Sequence, residues 1–236
     1  MKNFTLDTRL DCAAKFVRQG ARFADIGTDH AYLPIFLLKS GKISYAVCSD
    51  INEGPLRSAR ENAREAGIFE NIDFTLADGA DALADRELSD IAICGMGGEL
   101  IAAIVEKAEL FKNENIQLIL QPMSKFAHLR RALLKGGFEI RGEAYSSSQG
   151  KLYVTFSAFY TGKKRDIDEF EAEFGNERFL TDISPVQSEF LKRRADALLR
   201  AAEGKAEGGI YNSEEKRLYE YINEILRREH DRIRDL

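Results

Sequence analysis

The order of apolar and polar positions divides the chain in two. Through the first two thirds, short apolar runs alternate with segments of helical period. The runs "RFADI", "YAVCSD", "IDFTLA", "DIAICG" and "IQLILQP" read as strands, and "GPLRSARENAREAG" and "GELIAAIVEKAEL" read as amphipathic helices between them. This alternation predicts an α/β fold, a mostly parallel sheet with helices on both faces. Two further runs, "FEIRGEAYSS" and "KLYVTFSAFY", follow with no helix between them, so an antiparallel pair is expected at one edge. A leading helix is predicted over residues 5–18, where Leu10, Ala13, Ala14 and Val17 recur at helical spacing.

At "TGKKRDID", residues 161–168, the pattern changes. Strand runs stop and charge density rises. Phe170 and Phe174, and Val186 and Phe190, stand four apart, and Leu218, Ile222 and Ile225 mark one face of a terminal helix. "GKAEGGIYNS" supplies a turn, with Ser213 placed to cap the helix after it. The expected organisation is an α/β domain over residues 1–162 and an all-helical appendage over 163–236, two long antiparallel helices behind a short lead-in.

Bulk properties narrow the function. A length of 236 residues and 44% hydrophobic content allow a sizeable core. A net charge of −5 excludes a whole-protein electrostatic footprint for nucleic acid and leaves room only for a local patch. Cys12, Cys48 and Cys94 are far apart and form no CxxC pair, so reduced, mostly buried thiols are expected. No run approaches the ~20 apolar residues of a membrane span, and the start lacks a signal-peptide core. A cytoplasmic protein without membrane segment or metal is expected.

In a sheet of this kind, ligands sit beyond the carboxyl ends of the central strands. Four turns bearing acids or glycines fall there: residues 25–30, 50–51, 78–80 and 95–99. "FADIGTDHAYLP" resembles a glycine fingerprint in which Asp29 and His30 replace glycine. Asp50 ends the second strand 23 residues after Gly27, a spacing that suits a carboxylate accepting both hydroxyls of a ribose. Asp78 can accept from an exocyclic amine, with Gly79 and Ala80 offering backbone N–H groups to a purine edge. Converging carboxylates would repel a pyrophosphate. A ligand with ribose, amines and a cationic centre fits instead, and S-adenosylmethionine is such a ligand. Each acid also has a plain structural reading: Asp25 and Asp78 as turn formers, Asp50 as a helix cap, His30 as a hydrogen-bonded histidine.

The blocks "RLDCAAKFV", "ADIGTDHAYLPIFLL", "SDINEGPLRSARENA", "ADGADAL", "ICGMGGELI", "LILQPM" and "GKLYVTFS" resemble, in order, the bacterial TrmK family. These are tRNA adenine-N1 methyltransferases acting at position 22 in the D-arm. The resemblance implies a class I, Rossmann-like methyltransferase domain and a coiled-coil-like C-terminal domain. It implies S-adenosylmethionine as cofactor, held by Asp25, Gly27, Thr28, Asp29 and His30 on the methionine side, by Asp50 and Ile51 at the ribose, and by Asp78, Gly79 and Ala80 at the adenine, with Gly95 and Met96 alongside. Asp29 and His30 are the candidate catalytic groups, with Tyr32 and Gly97 at the substrate base. The tail matches by architecture alone.

Where many amino-group methyltransferases carry an Asn/Asp-Pro-Pro-aromatic turn, this chain reads Gly95-Met96-Gly97-Gly98. That turn supplies either flexibility alone or a floor that lets an adenine edge approach the backbone. The basic segment 125–151 holds Lys125, Arg130, Arg131, Lys135, Arg141 and Lys151 against Glu139 and Glu143. His128, Arg131 and Lys135 share one helical face, and Arg9, Arg18 and Arg22 add charge near the leading helix. Arg9, Arg18, Lys125, His128, Arg131 and Lys135 are thus the candidate RNA contacts, with a solvated helix surface as the plain alternative. Two other readings stay open: a methyltransferase of a small molecule or protein, and a non-catalytic binding protein on this fold. Oligomeric state is not legible.

Overall fold

The computed structural model describes residues 5–209, 211 and 213–234, with side chains through 232. Seven strands form one sheet: β1 (Arg22–Ile26), β2 (Tyr45–Asp50), β3 (Ile72–Leu76), β4 (Asp90–Gly97), β5 (Gln117–Ser124), β6 (Phe138–Ser148) and β7 (Lys151–Tyr160), in the order β3-β2-β1-β4-β5-β7-β6. The first five run parallel, while β7 pairs antiparallel with both β5 and β6. The expected edge pair is therefore present. Phe23, Ala24, Ile91, Ala92, Ile93, Leu118, Ile119 and Leu120 are wholly buried, because helices cover both faces of a parallel sheet.

Those helices are α1 (Thr8–Phe16), α2 (Tyr32–Lys39), α3 (Glu53–Ala66), α4 (Gly98–Lys107) and α5 (Phe126–Lys135). The leading helix is shorter than its periodicity suggests, for reasons visible at both ends. Asp7 caps it by accepting the Leu10 N–H at 2.8 Å. Beyond it, the Arg18 N–H leaves the helix path to donate to the Asp90 carboxylate at 2.7 Å.

The chain divides into two compact units, Met1–Asp166 and Ile167–Leu236. The second is helical: α6 (Glu169–Phe174), α7 (Pro185–Glu207) and α8 (Glu214–Arg234). Ser184 caps α7 with Pro185 at its first turn, and the Ser213 Oγ accepts the Lys216 N–H at the start of α8. The long helices are antiparallel, since Lys205 meets Glu215 at one end and Asp182 meets Arg232 at the other. Phe174, Phe190, Leu191, Leu198, Ile222 and Leu226 are buried within this unit. Leu226 joins Ile222 on the buried stripe, with Ile225 half-buried beside them.

Among the described residues, no helix is long and apolar enough to cross a membrane.

Candidate functional site

Strand β1 lies between β2 on one side and β4 on the other, so successive crossovers leave it in opposite directions. The crevice beyond that switch point is where an open α/β sheet accepts a ligand. A cavity of about 500 Å³ lies there, lined by the ends of β1, β4 and β5, the start of α2 and the N-terminal part of α1.

The β1–α2 loop forms one wall. Gly27 turns in the left-handed region at φ +75°, and a Cβ there would meet the Met96 methyl at 2.0 Å. The N–H groups of Gly27 and Thr28 both donate to the Ser49 carbonyl, at 2.8 and 3.0 Å, tying the loop to β2. Asp25 is only 8% exposed, and the Thr28 hydroxyl donates to its Oδ2 at 2.7 Å. Burial pushes the Asp25 carboxyl up to about 6 from an ordinary 3.8, against the pull of the Thr28 hydrogen bond and the Arg9 charge. Thr28 itself is buried and lies behind this acid rather than on the cavity wall.

At the rim, Asp29 Oδ2 stands 3.4 Å from His30 Nε2. The His30 ring stacks on Tyr32 with centroids 5.2 Å apart, and Tyr32 is 42% exposed. The His30 carbonyl accepts from Asn62 Nδ2 of α3 at 3.0 Å, which fixes the loop from behind.

The facing wall contains Arg9, a candidate RNA contact, and behind it lies Gln121, which sequence reasoning missed. The Arg9 side chain is 18% exposed and lines the cavity. The guanidinium donates from Nη1 to Gln121 Oε1 at 2.7 Å. Gln121 is fully buried, and the same oxygen accepts the Gly95 N–H at 3.2 Å. A polar residue inside the apolar run "IQLILQP" was the available signal. Cys94, Gly95, Met96 and Met123 complete this wall.

The other predicted positions fall outside this cavity's lining. Asp50 ends β2, accepts the Asn52 N–H at 2.7 Å, and is followed by an exposed Ile51. The Asp78 side chain is 62% exposed and 3.4 Å from Lys107 Nζ, with Gly79 and a buried Ala80 after it. These turns continue the row of strand ends, since the Ala77 N–H donates to the Asp50 carbonyl. Gly97 caps α4.

Among the proposed RNA contacts, Arg18 lies at the opposite end of the sheet. Its Nε donates to Asp90, the first residue of β4, at 2.7 Å, and Nη2 donates to the Asn115 carbonyl at 3.0 Å. The sequence shows its charge but not that bidentate partner. His128, Arg131 and Lys135 do share a surface: they line a second cleft of about 820 Å³ along α4 and α5. Lys112 and Lys164 join them, and these cations outnumber Glu99 and Glu106. Lys125 begins α5 with its Nζ 4.0 Å from Glu99. Arg130, counted in the basic segment, is buried against Glu143, each side chain 1% exposed, and adds no charge to the surface.

Among the described residues, no group of three or more His, Cys, Asp or Glu is placed to hold a metal.

This strand order, with its cavity at the β1–β4 switch point, defines a class I methyltransferase domain, and a family model described as a methyltransferase domain matches residues 6–156. The Bacillus subtilis tRNA (adenine(22)-N(1))-methyltransferase is 35% identical over 158 residues, which are 67% of this chain and 66% of that protein. A Streptococcus pneumoniae protein crystallised with S-adenosyl-L-methionine superposes with a TM-score of 0.79 at 35% identity, covering 94% of this chain and 100% of that one. The crystal structure of the B. subtilis m1A22 tRNA methyltransferase TrmK gives 0.76 at 26% identity, over 96% and 99% of the two chains. The chain belongs to the TrmK family.

Proposed function

We propose that this chain transfers a methyl group from S-adenosyl-L-methionine to N1 of an unpaired adenine in the D-arm of tRNA, at position 22. One observation carries the reading: a methyltransferase sheet opens at its switch point into a cavity holding a buried carboxyl, a guanidinium and an aromatic rim. The relative's name and the cofactor-bound neighbour support the substrate and the cofactor.

The donor set fits this cofactor. Asp25 and Asp29 favour an amine and a sulfonium and disfavour a pyrophosphate. The left-handed Gly27 turn has no Cβ, which lets the Met96 methyl close against the loop beside the cavity. Asp50 and Ile51 serve the ribose, and Asp78, Gly79 and Ala80 serve the adenine, along the row of strand ends. The bound cofactor supplies the activated methyl group.

Adenine N1 carries its own lone pair at neutral pH, so no base must act before attack. In a duplex that lone pair is occupied, so the target base enters the cavity extruded from its stack. Tyr32 stacks on it at the rim, and the Gly95–Gly97 turn lets its edge come close to the backbone. The Asp29 carboxylate, rather than His30, offsets the positive charge left on the methylated base and accepts its N6 proton. Lys125, His128, Arg131 and Lys135 hold RNA phosphates, and the helical unit contacts tRNA.

Purified protein, labelled S-adenosylmethionine and unmodified tRNA test this reading, with the product nucleotide mapped by mass spectrometry. The expected product is N1-methyladenosine at position 22. Transfer to a metabolite or protein in place of tRNA would favour the small-molecule or protein methyltransferase, and calorimetry without any heat of cofactor binding would favour a pure binding protein.

A further inference from the structure

We propose that the buried Arg130–Glu143 pair is a positioning device: it sets the rotation of α5 and so aims His128, Arg131 and Lys135 at RNA across the α4–α5 cleft. The inference rests on the reading that this cleft holds tRNA phosphates, and it names what shapes the cleft. Both side chains of the pair are 1% exposed. Taking two charges out of water costs about as much as their attraction returns, so an apolar pair of similar volume would hold the fold at least as well. What an apolar pair lacks is direction. The Arg130 fork meets one carboxylate, with Nε at 2.9 Å and Nη2 at 2.8 Å, and the Tyr145 hydroxyl donates to the same carboxylate at 2.8 Å. The Phe126 and Phe156 rings lie 5.6 and 5.0 Å from the guanidinium. Two parallel bonds to a planar group fix its plane as well as its place.

Strand β6 is shaped to present that carboxylate. Side chains alternate between the two faces of a strand, so a regular β6 would point Glu143 away from the face that holds Ile140. Ile140 pairs with Ala158 and Gly142 with Ser157, which leaves Arg141 as an extra residue. This bulge moves Glu143 opposite Phe156, onto the face where Arg130 lies. Helix α5 needs such an anchor because its own start is weak. Lys125 precedes it in the left-handed region at φ +56°, no side chain caps it, and its first turn holds no acid. At about 100° per residue, His128, Arg131 and Lys135 stand roughly 100–160° round the helix from Arg130. Any roll of α5 about its axis would swing these three across the cleft without changing their charge.

Arg130→Met combined with Glu143→Leu removes the pair without changing net charge. In steady-state methylation of tRNA by the full chain, this double variant is expected to raise the Michaelis constant for tRNA about 3- to 10-fold and to make it less dependent on salt, because fewer phosphates are met. Turnover at saturating tRNA and the calorimetric affinity for S-adenosylmethionine should match the parent, and a melting curve shows that the variant is folded. Arg130→Lys keeps the charge without the fork and should raise the same constant by a smaller factor. It decides the matter alone if the double variant does not fold. An unchanged Michaelis constant for tRNA in the folded variant would overturn the proposal. So would a fall in S-adenosylmethionine affinity beside a raised constant, since the pair would then only hold the sheet together. Charge reversal at Arg131 and Lys135, run in parallel, tests the underlying reading. No change there means that the cleft holds no RNA, and the proposal falls with it. A constant raised there but unchanged in the double variant leaves the cleft to RNA and removes only the positioning role.

Discussion

At the scale of the residue, Asp25 carries two opposed demands. It is desolvated beneath the β1–α2 loop, yet a cationic ligand needs it ionised. Its carboxyl sits at about 6 rather than 3.8, so the folded chain binds a proton more tightly than the unfolded chain between those values. Relative to high pH, that stabilising contribution is fully present below 3.8 and is lost as pH rises through about 6. Without ligand, Asp25→Asn should therefore be more stable than the parent at pH 7.5, by roughly 1–3 kcal/mol. The advantage should vanish near pH 4, and thermal melts at the two pH values check it. Affinity for S-adenosylmethionine should run the other way and fall as pH drops through about 6, because a neutral carboxyl no longer attracts an ammonium. A flat calorimetric profile across that window would remove Asp25 from contact with the cation.

Elements show why two sequence features mean something other than their composition. In the turn "GMGG", Gly98 is the residue that packing requires: a Cβ there would stand 2.4 Å from the Lys125 carbonyl oxygen and 2.8 Å from that of Ser124. Helix α4 starts against the β5–α5 backbone, with no room between. Gly98→Ala should cost about 1–3 kcal/mol in thermal melts. Gly54→Ala is the control; it lies in α3 with no atom near its Cβ position and should be neutral or stabilising. Arg130 is the second case. Its Nε and Nη2 meet Glu143 at 2.9 and 2.8 Å, Tyr145 donates to the same carboxylate, and the Phe126 and Phe156 rings flank the guanidinium. Removing one partner leaves a buried charge, so Arg130→Ala should lose about 3–5 kcal/mol in urea unfolding. Replacing Arg130 and Glu143 together by apolar residues should lose much less.

For the whole molecule, a slightly acidic chain must hold a polyanion on a local surface. The cleft along α4 and α5 gathers Lys112, Arg131, Lys135 and Lys164. Charge reversal at Arg131 and Lys135 should raise the Michaelis constant for tRNA, weaken its dependence on salt, and leave cofactor affinity unchanged. Equal activity at moderate salt would clear that cleft of RNA. The alternation of strands and helices, the antiparallel edge and the helical tail were all legible in the chain, because each is written in local period and turn chemistry. So was the gathering of acids at strand ends, because β1, β2 and β3 each finish near an acid whatever the packing. Residues that owe their role to a distant partner were not legible. Arg9, Arg18 and Arg130 look alike in sequence, yet Gln121 turns one into the cavity, Asp90 holds one at the far end of the sheet, and Glu143 buries the third. By itself, the sequence determined the order of elements and the class of ligand that acid-bearing turns admit, since periodicity and charge type are local properties. Only the tertiary structure decided which charges face that ligand, because a side chain's direction and desolvation are set by partners 13 to 112 positions away.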